Sequence, residues 1–188
     1  EDAQRLVLDG GEAVDDLHVT VAYLGKTADL DRATIEQALA TIQESALSGT
    51  IGGIGRFPTS HKEGLQAVWV PVDVPGLTAL HDSVVSALAA VGVEQGSVHG
   101  YTPHVTLDYV TPEQPSPPPV SQVAVSWSAF SLVWDSERID FPLAAAPAMT
   151  AGAGIYTRTA APHPLADVAP KLNEIDRDAR TKIAAAAE

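Results

Sequence analysis

The chain contains no cysteine, which excludes disulfides and thiolate metal sites. Basic residues are also scarce, since 11 Lys and Arg stand against 24 Asp and Glu and give a net charge of −13. A protein that follows a long nucleic-acid backbone carries a basic stripe, because neutralising phosphates supplies much of its affinity. The sequence has no such stripe, so we expect no binding to long duplex nucleic acid.

Long apolar runs are missing as well. None approaches the roughly 20 residues that a membrane-spanning helix needs, and no signal-peptide pattern opens the chain. We therefore expect a cytoplasmic protein with no membrane partner. The chain does not begin with Met, which is compatible with a piece cut or processed from a longer protein. A hydrophobic content of 45% over 188 residues is enough for one domain with a core.

Alternating and helical patterns predict an α+β catalytic domain over residues 1–148. Its expected helices cover about 32–47 and 77–91, with Gly49 and Gly92 as their stops. Its expected strands cover 17–24, 50–57, 65–72, 104–110, 120–130, 130–134 and 139–143.

The composition changes at Ala144 to a stretch of Ala, Gly, Pro and Thr that is typical of a linker. A last helix is predicted from about Pro170, with an apolar stripe of Leu172, Ile175, Ala179 and Ile183. Residues 149–188 are thus expected to form a linker and a C-terminal amphipathic helix. That helix would pack on a partner chain or a downstream domain.

Two copies of one phrase are the strongest signal: His18-Val19-Thr20-Val21 and His104-Val105-Thr106-Leu107. Each lies in a predicted strand, so the His and Thr of a copy point to one face and the aliphatic residues to the other. Each phrase therefore presents one imidazole and one hydroxyl, backed by a core. We expect the His and Thr side chains of the two phrases to face each other around one small anion.

Such a set suits phosphodiester cleavage. Histidine can serve as the base on the attacking hydroxyl or as the acid on the leaving oxygen, because its unperturbed pKa is near 6.5. Thr20 and Thr106 would donate hydrogen bonds to the non-bridging phosphate oxygens. The sequence does not show whether His18 or His104 is the general acid. A metal site is the weaker reading, since each strand offers one ligand and no His-x-x-x-His spacing occurs. We expect no metal and no cofactor.

The phrases resemble the signatures of the 2H (two-histidine) phosphoesterases, in the branch of 2′-5′ RNA ligase-like proteins and cyclic phosphodiesterases. The resemblance covers about residues 15–143 and is carried by 17–25, 102–107, Arg56-Phe57-Pro58 and 132–142. It implies a two-lobed pseudo-twofold fold, with antiparallel sheets around a central cleft and helices outside. It also implies metal-independent cleavage of 2′,3′-cyclic or 2′-5′-linked nucleotides, with His18 and His104 as the acid–base pair and Thr20 and Thr106 as phosphate clamps.

Substrate contacts are predicted for four further residues near the phrases: Tyr101, Arg56, Phe57 and His61. The expected partner is a small nucleotide or an oligonucleotide end. The segment 164–172 resembles linkers in phage capsid-maturation or minor-head proteins, which implies a phage or prophage setting. A noncatalytic nucleotide-binding or capsid-associated module with the same fold stays open as the alternative.

Overall fold

The fold is built from antiparallel strands and two helices. A computed structural model describes residues 17–25, 29–58, 64–94, 100–135 and 137–145, together with the backbone of 181–185. The elements are β1 (Val19–Gly25), α1 (Arg32–Leu39), β2 (Leu47–Gly53), β3 (Gly55–Arg56), β4 (Gln66–Asp73), α2 (Leu77–Ala90), β5 (His104–Val110), β6 (Val120–Trp127), β7 (Ala129–Trp134), β8 (Glu137–Pro142) and β9 (Thr181–Ala185).

The strands that carry the two His phrases are neighbours in the middle of the sheet. The strand order is β6-β2-β4-β5-β1-β9-β7-β8, and β3 pairs with β4 beside this path. The ladders between these strands are antiparallel. The predicted α+β class with antiparallel sheet is therefore confirmed. The second phrase lies in β5, and the first lies in β1 except for His18, which directly precedes that strand.

The core fixes which way the two central strands face. In both phrases the aliphatic positions are buried, with 1% exposure for Val19 and Val21, 3% for Val105 and 1% for Leu107. They share one cluster with the apolar stripes of α1 and α2, which include Ile35, Leu39, Leu80 and Val84. The helices therefore cover the face of β1 and β5 that carries the valines. Because side chains alternate along a strand, the His and Thr residues are left on the opposite face.

The first helix is shorter than its apolar spacing predicts. It ends at Leu39, and β2 begins at Leu47 where the sequence predicted the helix to end. Gly49 lies within this strand and is not a helix stop. Its backbone approaches β4 so closely that a Cβ would stand 2.2 Å from the Asp73 carbonyl oxygen. Tertiary pairing with β4 and β6 outweighs the local signal that glycine gives.

The predicted C-terminal helix is wrong at residues 181–185. These five residues form β9, which pairs with β1 on one side and β7 on the other. Five residues of the predicted appendage therefore belong to the sheet that holds the His phrases. The rest of the predicted linker and helix, 146–180, lies outside the described residues, and the domain boundary near 148 stays a prediction. None of the helices in the described ranges is long and apolar enough to span a membrane.

The end of α2 follows the sequence prediction. Gly92 has a φ of 83°, and the amides of Gly92 and Val93 donate to the carbonyls of Ala89 and Leu88. We expect Gly92→Ala to lower the free energy of unfolding by about 1–2 kcal/mol, because an L side chain is strained in this conformation. Urea denaturation measures this loss. Gly100→Ala is the matched control, since that glycine has equally open surroundings and a φ outside the left-handed region. Equal losses in the two variants would contradict the assignment.

Candidate functional site

Strand register brings the two His phrases together. Val19 lies directly opposite Val105 in the antiparallel β1–β5 pair. Continued by one residue each way, this register places His18 opposite Thr106 and Thr20 opposite His104. The two phrases therefore flank the Val19–Val105 pair, with His18 and Thr106 on one side of it and Thr20 and His104 on the other. The four residues form one patch on the face that the helices do not cover.

The spacing within this patch suits one phosphate group. Directly opposite residues have Cβ atoms about 4.5–5.5 Å apart, and diagonal ones lie about 7–8 Å apart. His18 and His104 stand on a diagonal, so their rings can reach toward opposite sides of a group bound between them. All four side chains are half-buried, which leaves each accessible from the open face of the sheet. The pairing of Val19 with Val105 brings the two phrases to neighbouring strands, and the catalytic and clamp roles of His18, Thr20, His104 and Thr106 stay predictions.

The ring of His104 is oriented by its own backbone. Its Nδ1–H donates to the Thr102 carbonyl at 2.7 Å. This bond turns Nε2 away from the chain and, in the neutral ring, leaves Nε2 as the proton acceptor. Burial lowers the pKa of His104 below its ordinary value of 6.5, and the hydrogen bond to Thr102 opposes part of that shift. His104 is therefore prepared to accept a proton at neutral pH.

Two aromatic rings enclose His104. The Phe57 ring meets it edge to face, with centroids 4.8 Å apart and an interplanar angle of 82°. The Trp69 ring lies 5.8 Å away at 63°, and Phe57 and Trp69 stack on each other at 4.8 Å. Phe57 is only 8% exposed, so it packs against the proposed site histidine instead of offering a face to substrate. The substrate contact predicted for Phe57 stays a prediction.

Trp69 is a site residue that the sequence reasoning missed. It lies on β4 directly opposite Thr106, while Val70 and Val72 of the same strand are buried in the core cluster with the helices. The alternation of β4 contained the signal, because a large aromatic stood among the positions that face away from the helices. What the sequence could not supply was the pairing of β4 with the second His strand.

Arg56 has structural partners. Its guanidinium donates to the carbonyls of Gln114 and Thr111, at 2.8 and 2.9 Å. It therefore anchors the loop after β5, and the phosphate contact predicted for it stays a prediction. In the ranges that the structure describes, the other guanidinium groups are engaged too. Arg32 pairs with Glu36 and Glu137, and Arg138 pairs with Asp140.

Tyr101 is placed with the helices. Its ring stacks on His81 of α2 with centroids 4.1 Å apart, and His81 Nδ1–H donates to the Val21 carbonyl at 2.6 Å. Burial raises the pKa of the Tyr101 phenol, whose oxygen is buried without a hydrogen-bond partner. The substrate contact predicted for Tyr101 stays a prediction. His61, the remaining predicted contact, lies outside the described residues. Within those residues, no three His, Cys, Asp or Glu side chains are grouped closely enough to hold a metal ion.

Comparison with known proteins identifies the family. The model of the 2′-5′ RNA ligase superfamily matches residues 2–141. The chain therefore belongs to this superfamily, which confirms the superfamily predicted from the paired phrases. No curated protein gives a significant match.

Solved structures support the fold. A crystal structure described as a phosphoesterase has a TM-score of 0.51 and 24% identity, over 71% of this chain and 77% of that one. The structure of Escherichia coli LigT complexed with 3′-AMP has a TM-score of 0.50 and 24% identity, with the same coverage of 71% and 77%. The two phrases thus lie within a fold that these two solved structures share.

Proposed function

We propose that the chain is a metal-independent phosphodiesterase that hydrolyses a small 2′,3′-cyclic or 2′-5′-linked nucleotide. The register of β1 and β5 is the observation that carries this proposal, because it sets two imidazoles on a diagonal with a hydroxyl opposite each. An acid, a base and two donors around one phosphate meet the needs of in-line displacement at phosphorus.

His104 is the general base of this proposal. Its Nε2 accepts a proton from the attacking water or ribose hydroxyl while the oxygen forms its bond to phosphorus. Burial lowers the pKa of His104 and so favours the neutral ring that this step requires. The hydrogen bond from Nδ1 to the Thr102 carbonyl selects the tautomer in which Nε2 is free to accept the proton. The roles of the two rings exchange when the reaction runs in reverse.

His18 then acts as the general acid. As the bond from phosphorus to the leaving ribose oxygen breaks, protonated His18 gives its proton to that oxygen. A cyclic phosphate is thereby opened to a phosphate monoester and one free ribose hydroxyl. Thr20 and Thr106 donate to the non-bridging oxygens, where negative charge is concentrated in the transition state.

Charge and fold support a small substrate. The acidic excess of the chain repels a long polyanion, whereas a mononucleotide or an oligonucleotide end brings few phosphates. Escherichia coli LigT, which has a similar fold, holds 3′-AMP in its crystal structure. We extend that ligand class to this chain. A phage or prophage setting, and a partner reached through the C-terminal segment, are further proposals that rest on the sequence alone.

The proposed base predicts the acid limb of the pH–rate profile. Only neutral His104 accepts a proton, so kcat/KM rises with pH as the ring loses its proton. Because burial lowers this pKa from 6.5, we expect the midpoint of the acid limb below 6.5. Initial rates on 2′,3′-cyclic AMP between pH 4.5 and 8 measure it, since kcat/KM reports groups of the free enzyme. An acid limb centred above 6.5 would contradict this assignment.

A single assay tests the proposed function against its alternatives. Purified chain is incubated with 2′,3′-cyclic nucleotides and with 2′-5′ dinucleotides, with and without EDTA. We expect a nucleoside monophosphate product at equal rates in both conditions. Turnover that EDTA abolishes would indicate a metal-dependent hydrolase. Binding of the nucleotide without turnover would identify the noncatalytic module.

A further inference from the structure

Three strands build the aromatic enclosure around His104. Gly55 of β3 lies opposite Trp69 of β4, and Trp69 lies opposite Thr106 of β5. The Phe57 amide donates to the Ala67 carbonyl at 3.0 Å, which holds the chain beside β4 just past the end of β3. The two rings are therefore fixed by backbone pairing.

Gly55 provides the space for the indole. A Cβ at this position would stand 2.5 Å from the Trp69 ring, closer than van der Waals contact allows. The indole therefore lies directly over the glycine, and its other contacts are the stack with Phe57 and the edge of His104. Any side chain at position 55 would push the indole, and Phe57 with it, against the histidine.

Phe57 offers little open surface to a nucleotide base, and the half-buried Trp69 offers no reachable donor. Phe57 is 8% exposed, and the indole Nε1 of Trp69 is buried without a hydrogen-bond partner. A ring that binds substrate would present an open face or a reachable donor. These rings instead direct their contacts toward each other and toward His104.

We propose that Phe57 and Trp69 are positioning residues that hold the His104 ring in line with the Thr102 carbonyl and exclude water from it. This inference rests on the proposed function, in which His104 is the base. Phe57 and Trp69 contact the imidazole of His104 from two directions and so hold its plane. The hydrogen bond to the Thr102 carbonyl fixes which way its two nitrogens point. Nε2 is then presented to substrate without a search among rotamers, which lowers the entropic cost of the reaction.

Burial and the hydrogen bond to Thr102 are the influences on the protonation of His104, and the two aromatic rings contribute to that burial. On the side of β1, the titratable group near the site is His18, which directly precedes that strand. On β3 the Arg56 guanidinium is committed to loop carbonyls, and the β4 residues opposite the phrase, Trp69 and Pro71, do not titrate. Burial is accordingly the leading cause of the lowered pKa of His104.

Three variants test the inference: Phe57→Leu, Trp69→Leu and Gly55→Ala. The pKa of His104 is read from the ring resonances in an NMR titration, and kcat and KM are measured on 2′,3′-cyclic AMP. In Phe57→Leu and Trp69→Leu we expect the pKa of His104 to move toward its ordinary value, because the imidazole loses burial. In all three variants we expect kcat to fall about 10- to 100-fold, as a displaced catalytic group does, while KM changes little. In Trp69→Phe the pKa of His104 and kcat should stay close to the parent values, unlike in Trp69→Leu. Phenylalanine keeps an aromatic ring and removes only an N–H donor that has no partner.

Phe141→Leu is the matched control. Phe141 has the same 8% exposure as Phe57 and stacks on Phe130 at 5.2 Å, away from the site. It should lose stability as Phe57→Leu does, with the pKa of His104 and kcat unchanged. Near-UV circular dichroism shows which variants fold. If the two leucine variants do not fold, the kcat and the pKa of His104 in Gly55→Ala test the inference.

The inference is overturned if folded Phe57→Leu, Trp69→Leu or Gly55→Ala leaves both kcat and the pKa of His104 at the parent values. It is equally overturned if Phe141→Leu reproduces their effects. The proposed function fails by a different result, namely full turnover in variants that lack the histidines themselves. The two failures are therefore distinguishable.

Discussion

His104→Ala and His18→Ala will each lower kcat on 2′,3′-cyclic AMP by about 100- to 10,000-fold, the usual contribution of one positioned proton-transfer group. Removing His104 leaves no base on the attacking oxygen, and removing His18 leaves no proton for the leaving oxygen. Both rings are half-buried on the open face of the sheet, so neither truncation opens a cavity in the core. Steady-state kinetics and thermal unfolding measure the two effects separately.

The double variant His18→Ala with His104→Ala should be little worse than either single variant, since groups that act as a unit are not additive. His81→Gln is the matched control. This third histidine lies on α2 and donates to the Val21 carbonyl, a bond that glutamine can keep. Full activity in both single variants would contradict the catalytic assignment.

The threonines give the second large effect. Thr20→Val and Thr106→Val keep the shape and β-branching of the side chain but remove the hydroxyl. We expect each to lower kcat by about 100- to 1,000-fold, the typical cost of one donor to developing charge. KM should change less, because the donor acts mainly on the transition state.

Thr20→Ser and Thr106→Ser control for the loss of the hydroxyl, since serine keeps it and loses only a methyl group. These variants should retain most of the activity. If valine and serine behave alike at both positions, the hydroxyls have no part in catalysis. An equal loss of folding stability in all four variants would point to packing as the cause.

The motif strands show how far the sequence could predict the site. A His and a Thr two apart, with aliphatic residues between them, can only place the polar pair on one face of a strand. The exposures of Val19 and Val105, 1% and 3%, confirm this. That the strands pair with those two valines opposite each other depends on long-range contacts, which no local pattern contains.

The aromatic residues show which features of the site local sequence patterns could not predict. Phe57 next to a predicted site is equally consistent with a base-stacking ring and a buried one, and its 8% exposure decides for burial. Tyr101 behaves likewise, because its stacking partner His81 comes from a helix distant in sequence. Trp69 could not be assigned to the site until β4 was known to pair with β5.

The predicted end of the first helix and the predicted C-terminal helix were wrong for a related reason. The apolar spacing after Leu39 continues to Ala46, and only pairing with β4 and β6 turns residues 47–53 into a strand. At the C-terminus the apolar stripe fits a helix, yet the backbone of 181–185 fills the position between β1 and β7. In both segments tertiary pairing overrides a local preference.

The most direct test of the account is a crystal structure of the chain with a nucleoside 2′- or 3′-monophosphate. We predict a phosphate between the two central strands, with Nε2 of His18 and of His104 each within about 2.6–3.2 Å of a different phosphate oxygen. The hydroxyls of Thr20 and Thr106 should donate to the remaining oxygens. A nucleotide bound elsewhere, or with its phosphate touching neither imidazole, would contradict the account.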